Sequence, residues 1–532
     1  MKQMPILLKV VRVLAISLLV LASYGAAQDE PVYGGTLTIA YTSTSPHIDI
    51  QGTNQGSLSE SAHYMYETLF DRNPEGEIEG LLVRDYSVSD DGLVYTFELQ
   101  PDVLFHDGTP FDAEAVKYNF ERKINLQLPN WDSIPWDSID VIDPLTIQVT
   151  LTNPAPHILN VLAAKTWSMY SPTHVEAVGP DGVLSEGVGT GPFRQENFEP
   201  NNVLHLVRNP NYWQEGLPYL DEVIFRVIPD ANTRAALLEA GDVDMALNLP
   251  VPVTERLKFD DRFNVLSALG SRQYYITMNN LNPPLDDVLV RRAINYAVDK
   301  EGILQAVFLG VGGEVANAVY LNPTVTGYTP AGNYAYDPEQ AEALLEEAGW
   351  VMGDDGVRVK DGERLSITLH TRRGSTTGDF ETAELVQGML ADVGVEVELV
   401  VLESASFVSA VTMPSDEAEY YLVNLTVGTI TGDAEYIMTS FYHSDSAAPR
   451  LYNRAYYGNP EVDALIEESR LVGSREERDA IYEDIIQMVF EDAPIIQLFD
   501  TVAFLAVNAD VQGIYFEPAY SNWPAKYAWK AE

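Results

Sequence analysis

Two adjacent arginines, Arg372 and Arg373, follow the apolar stretch 365–369 and offer guanidinium forks that fit a carboxylate or phosphate bidentately. Asp379 and Glu381 stand close by, so surface ion pairing explains the same two residues equally well. Trp131 and Trp136 lie in a stretch rich in Pro and Asp, with Trp167 and Tyr170 further on. Flat aromatic faces beside carboxylates suit a sugar or a cation; burial in a core is the competing fate. Gln497 interrupts the apolar run 495–499, so it either faces a wet cleft or needs a buried partner.

Catalytic and metal-binding patterns are missing from the same chain. It has no cysteine, which excludes disulfides, thiolate nucleophiles, Cys-ligated metal centres and a lipidated N-terminal cysteine. The eight histidines (47, 63, 106, 157, 174, 205, 370, 443) never fall three or four apart, and there is no HExxH, GxSxG or Walker pattern. The run Gly187-Val188-Gly189-Thr190-Gly191 is glycine-rich, but Pro192 and an extended stretch follow it where a phosphate-cradling helix would begin. It is read as a backbone turn. Carboxylates are too numerous for any pair to stand out as an acid and base, and Asn424-Leu425-Thr426 is read as a chance glycosylation sequon in a strand.

Seventy-nine acidic residues against 32 Lys plus Arg give a formal charge of −47 over 532 residues. Such a surface repels phosphate backbones and anionic lipids, so nucleic acid is excluded as a partner. The length calls for two to four domains. Residues 1–27 carry Lys2, Lys9 and Arg12, an apolar run over 13–21 and small residues at Gly25-Ala26-Ala27. That is the pattern of an export signal, and the run is shorter than the ~20 residues of a permanent membrane span. A periplasmic protein that is not lipid-anchored is expected.

The elements that must position these residues alternate between strand and helix, an α/β class. Strands are expected over 35–41, 82–88, 93–99, 395–402 and 494–507, with a tight hairpin at Asp90-Asp91-Gly92. Helices are expected over 57–70, 112–123 capped by Asp112, 233–240 capped by Asn232, from Asp286 to 298, from Asp337 to Gly349, and over 461–471 and 476–491. No fixed-period repeat or low-complexity linker separates them, so the domains are interleaved and not strung like beads.

Five segments in order carry a resemblance: YTFELQPDVLFHDGTPFDAEAVKYNFER (95–122), GTGPFRQENFEPNNVLHLVRNPNYW (189–213), PLDDVLVRRAINYAVDK (284–300), YDPEQAEALLEEAGW (336–350) and NPEVDALIEESR (459–470). Together they resemble the extracytoplasmic solute-binding proteins, family 5, of ABC importers, the oligopeptide, dipeptide and nickel receptors. The resemblance implies a periplasmic-binding-protein-like fold (type II, cluster C), with two lobes, a hinge and an extra subdomain in the first lobe. It places the main first lobe at 28–75 and 186–275, the insert at 76–185, the second lobe at 276–505 and a return to the first lobe at 506–532. It further implies a ligand buried between closing lobes, a monomer, membrane permease subunits as partners and, through them, cytoplasmic ATPase subunits. No cofactor, metal or catalytic group is then needed. Asp107-Gly108-Thr109, Gly189 to Gly191, Asn279 and Arg291 read as framework.

In peptide-binding members an aspartate three residues after a tryptophan, ahead of a second acid, holds the peptide amino group. The matching stretch here is 427–433. Asp433 takes the second acidic position, while Val427 replaces the tryptophan and Ile430 the anchoring aspartate. Asp433 is equally well read as a helix cap. Arg372 and Arg373 match a loop that supplies an arginine to the ligand carboxylate in dipeptide-binding members. The candidate ligand contacts are thus Arg372, Arg373, Gly428, Thr429, Asp433, Trp131, Trp167 and Gln497, for a small organic ligand of the peptide or oligosaccharide class. Two other classes stay open: an exported hydrolase with paired carboxylates, and an extracytoplasmic sensor that needs no permease.

Overall fold

The computed structural model describes residues 30–42, 47–53, 61, 63–73, 76–373, 378–516 and 525–531. The export signal expected over 1–27 lies outside them. An eleven-stranded mixed sheet runs through both lobes. Its order is Glu396–Val401, Ser366–Thr371, Leu422–Gly428, Phe263–Met278, Ile495–Asn508, Met245–Leu247, Thr36–Tyr41, Glu222–Val227, Val203–Arg208 and Phe193–Glu199, with Gly313–Val315 laid against Ile495–Asn508. Pairing is parallel where Thr36–Tyr41 meets Glu222–Val227 and Met245–Leu247, and where Ser366–Thr371 meets its two neighbours. Elsewhere it is antiparallel, as in Phe263–Met278 with Ile495–Asn508.

Those last two strands cross from one lobe to the other, where the resemblance puts the hinge. Residues 263–269 pair with 502–508 on the first-lobe side, and residues 273–277 pair with 495–500 on the second-lobe side. The register slips between Leu269 and Gln273, where the backbone of 270–272 leaves the ladder with Ile495–Asn508. Of these residues Arg272 stays paired with Gly428 on the other side, so the strand is loosened locally, on one of its two edges. The expected boundaries at 275/276 and 505/506 fall inside these two strands.

Each lobe buries its own apolar residues. The first lobe packs Leu37, Ile39, Leu204, Phe225 and Leu505 against Tyr64 and Tyr66. The insert builds a separate core under the antiparallel sheet Val83–Val88, Val94–Leu99, Thr146–Leu151, Trp136–Asp143, with Phe97, Val116, Phe120 and Trp167 inside. Its helix Ala113–Asn125 starts where Asp112 accepts the Ala115 N–H. The second lobe fills both faces of its half-sheet, with Tyr275, Tyr420 and Tyr442 on one side and Ile276, Ile294 and Leu498 on the other. No helix among the described residues is long and apolar enough to cross a membrane.

Local expectations differ from the structure at three places. Of the helix expected over 57–70, the described residues 63–69 form turns and extended chain that lead into the strand Phe70–Arg72. Asp230, not Asn232, caps the helix Ala231–Ala240, since it is the Asp230 carboxylate that reaches the Thr233 N–H. Likewise Asp287, not Asp286, caps Val288–Ala297. In both cases two Asx residues compete within a few positions and the backbone geometry selects one. The glycine run packs as a close approach: a Cβ on Gly189 would stand 2.3 Å from Met65 O and one on Gly191 2.6 Å from Tyr64 O.

Asp500 sits beside the register slip, paired with Gln273 on one side and Glu314 on the other. Burial pushes its pKa up to about 7; the Gln273 Nε2 bond to Oδ1 (2.9 Å) works against this and the Glu314 charge adds to it. The folded state therefore holds a proton that the unfolded chain gives up near pH 4. Stability from this group is full below about pH 4 and is lost as pH rises toward 7, at no more than ~1.4 kcal/mol per pH unit. Unfolding midpoints of wild type and Asp500→Asn, measured from pH 4 to 8, are expected to converge at low pH and diverge in favour of the variant at high pH. A constant difference across that range would remove Asp500 as the source.

Candidate functional site

The insert and the second lobe face each other across a groove of about 890 Å³. One wall comes from residues 127–135 and 153–157, the other from 435–452 and 467–471. Trp131 begins a short turn, Trp131–Ser133, and lines the groove half-buried; its carbonyl accepts the Trp136 indole N–H at 3.0 Å. The second-lobe wall is built by a short helix, Ala434–Ile437, continuing into a π-helical turn, Met438–Tyr442. Helix and turn together carry Glu435, Tyr436, Thr439 and Ser440 to the groove. π-turns of this kind are frequent at functional sites.

Glu435 is the electrostatic centre of the wall. Its carboxylate lies 3.4 Å from Arg470 Nε, accepts the Thr439 hydroxyl at 2.5 Å and stands 3.9 Å from His157 Nε2 across the groove. Burial alone would raise its pKa, but His157, Arg470, the Thr439 hydroxyl and Arg478 together outweigh burial and hold it below the ordinary carboxylate value. Around this satisfied pair the rim carries Asp132, Asp445 and Glu467 of one sign and Arg450 of the other. His443 lies between Asp463 (3.9 Å) and Glu467 (3.7 Å). Tyr452 stacks on Phe441, with ring centroids 5.5 Å apart. Fixed charges of both signs beside aromatic faces can hold a charged or zwitterionic organic molecule. No group of three or more His, Asp or Glu able to hold a metal occurs among the described residues.

The remaining sequence candidates fall in three places. Gly428, Thr429 and Asp433 share one turn, between the strand Leu422–Gly428 and the helix Ala434–Ile437. Thr429 Oγ1 accepts the Gly432 N–H at 3.1 Å, and Asp433, fully buried, caps that helix through the Glu435 N–H. Asp433 also takes Arg478 Nη2 at 3.3 Å and Asn160 Nδ2 at 2.8 Å. Burial works against the Arg478 charge, and Asp433, with Tyr482, Asp479 and Glu435, outweighs it and raises the guanidinium pKa.

Arg372 and Arg373 leave the C-terminal end of Ser366–Thr371, which runs parallel to Leu422–Gly428, so both loops emerge from one sheet edge. Arg372 lies 3.4 Å from Asp379 and over the Phe407 ring; Arg373 lies over Phe380. Trp167 is placed in the insert core against Phe120 and Trp136, with the Lys123 ammonium 4.8 Å from its ring. Gln497 is buried and donates to the carbonyls of Ala316 and Gly332. The structure thus brings Trp131 to the groove and gathers 428, 429 and 433 just behind its second-lobe wall. Trp167 and Gln497 stand apart among packing partners. Glu435, Arg470, His157 and Tyr452 were missed; the spacing of Glu435 and Thr439, four apart on one helix face, was the available signal.

The model for bacterial extracellular solute-binding proteins, family 5, middle region, matches residues 77–449. The chain belongs to this family. Among its relatives, a protein named glutathione-binding protein GsiB from Pectobacterium atrosepticum is 29% identical over 488 residues, 90% of this chain and 91% of the relative. The protein of that name from Salmonella paratyphi A is 27% identical, with 91% and 92% covered. Among solved structures, Brucella suis NikA in complex with Fe(III)-EDTA superposes with TM-score 0.82 at 26% identity, covering 93% of this chain and all of the other. The oligopeptide-binding protein AppA from Bacillus subtilis, at 23% identity and TM-score 0.79 over 94% of this chain and all of AppA, shares the fold. The relatives are binding proteins, and the fold of this family 5 member is that of the type II periplasmic binding proteins.

The buried contacts of Asp433 give it a test. Asp433→Ala strands Arg478 in the core and is expected to destabilise this family 5 protein by about 3–5 kcal/mol in denaturant unfolding. A residue that serves only as a ligand contact would leave the unfolding midpoint unchanged.

Proposed function

We propose that the chain is the solute-capturing component of an ABC importer, working in the periplasm and handing a small organic ligand to membrane permease subunits, which cytoplasmic ATPase subunits drive. The observation that carries this reading is the groove between insert and second lobe, to which both sides contribute charges and aromatic rings. A cleft walled by two bodies joined at a hinge changes shape when filled, which is the signal a permease needs. Family membership supports the class of activity. The export signal in the sequence and the family's extracellular description support the location.

A short peptide or peptide-like conjugate is the ligand class this reading favours. The relatives named for glutathione support it, and so does the presence along one wall of Glu435 with Arg470 and of Arg450, which donates to the Asp445 backbone carbonyl. The groove volume of about 890 Å³ admits a ligand of a few residues. The scattered histidines speak against a bare metal ion as the ligand.

A thermal-shift screen against glutathione, di- and tripeptides, neutral oligosaccharides and Fe(III)-EDTA tests this. A ligand that binds only the folded state raises the midpoint by mass action, by roughly 2.7 kcal/mol of stability at a hundredfold excess over Kd. The expected hit is a peptide-class compound, bound one to one and recovered intact. Conversion of that compound into products, or binding confined to oligosaccharides, would overturn the reading.

A further inference from the structure

Beside the His157–Glu435 contact, the first lobe with its insert meets the second lobe through a compact set of polar contacts centred on one turn. The Arg72 guanidinium, buried in the short strand Phe70–Arg72, donates through Nη2 to the carbonyls of Thr431 and Gly432, each at 3.2 Å. On its own side the same guanidinium donates to Gly76 O at 2.7 Å and to Asn160 Oδ1 at 2.5 Å. Asn160, on the insert helix Ile158–Ala163, turns its amide N–H toward Asp433 Oδ2 at 2.8 Å. The fit is close: a Cβ on Gly432, which has φ +67°, would stand 2.5 Å from Arg72 Nη2. The turn leads directly into Glu435, and Asn160 follows His157, so the contact lies at the back of the ligand groove.

We propose that Arg72 and Asn160 are positioning residues that hold the 431–433 turn from across the lobe interface and set how far the cleft is closed before any ligand arrives. The arrangement suits a contact that must break and reform. When the lobes part, Asp433 keeps Arg478 and the Glu435 N–H, while Arg72 keeps Gly76 O and Asn160 Oδ1. Asp433 keeps its ion pair and Arg72 keeps two hydrogen-bond acceptors, so parting does not strip either group of all its partners, the outcome that makes breaking a buried ion pair so costly. What is exchanged is three hydrogen bonds for bonds to water, each of small net worth. The peptide carbonyls also read backbone and not side chain, so the latch is indifferent to which solute the groove has selected.

Because the chain has no cysteine, Asp137→Cys and Glu468→Cys on the exposed faces of insert and second lobe supply a unique pair of label sites. Spin-label distances are measured without ligand, so the outcome does not depend on the ligand class proposed above. The otherwise unaltered chain is expected to show a substantial short-distance population. Arg72→Met and Asn160→Leu are each expected to raise the long-distance fraction at least threefold, and Arg72→Lys to fall between, since the three donors of one ammonium cannot reach the four acceptors that the two guanidinium nitrogens share. Their unfolding midpoints serve as the check on folding; should Arg72→Met fail to fold, Asn160→Leu and Arg72→Lys decide. Distance distributions that superimpose on the unaltered pair, or an unaltered pair that is already fully open, would overturn the proposal.

Discussion

The widest break in one hydrogen-bond ladder governs this molecule. The strands Phe263–Met278 and Ile495–Asn508 carry a single sheet through both lobes, and between Leu269 and Gln273 their register slips. A continuous antiparallel ladder is stiff, because bending it stretches every rung; a missing rung localises the bend. On either side the ladder resumes, with a one-residue slip between Tyr274 and Tyr275 in the second lobe, and each lobe has its own packed core. The groove, the 431–433 turn and the insert are all positioned relative to that break.

The polar interior follows a second economy. Only 32 Lys and Arg serve a chain with 79 acids, yet several guanidiniums are withdrawn from the surface and set on backbone carbonyls. Arg234 donates to Leu247, Ile228, Pro229 and Asn248 carbonyls, Arg291 to those of Asp492, Leu285 and Asp286, and Arg358 to those of Val393 and Trp350. Carbonyls at helix and strand ends have no partner in their own element. A five-donor planar fork satisfies several at once, which an ammonium cannot do. Few acids join them inside, Asp433 and Asp500 among these, and the anionic surface costs little while salt screens it.

Much of the scaffold was legible in the sequence because its signals are local. The hairpin at Asp90-Asp91-Gly92, the Asp112 cap, the helices Pro338–Glu347 and Pro460–Leu471, and the last long strand each declare themselves within a dozen residues. The groove was not legible, because its walls come from residues about 300 positions apart and one of them depends on a π-turn that breaks the 3.6-residue period. Arg72 lies in a three-residue strand with no periodicity to mark it. Asp433 was visible as a helix cap, but its partners Asn160 and Arg478 are chosen by tertiary packing. Trp167 shows the opposite error, since an aromatic residue near carboxylates looks the same in a one-dimensional string whether it faces solvent or a core.

The placement of the final long strand has a consequence for how the polypeptide reaches this state. Ile495–Asn508 lies between Phe263–Met278 and Met245–Leu247, in the interior of the sheet and not at its margin. Neither lobe can complete its β-structure until nearly the whole chain is available, for both wait on the same late segment. Pairings of such long sequence separation form slowly. The architecture thus withholds its keystone until almost all of the polypeptide is there to receive it.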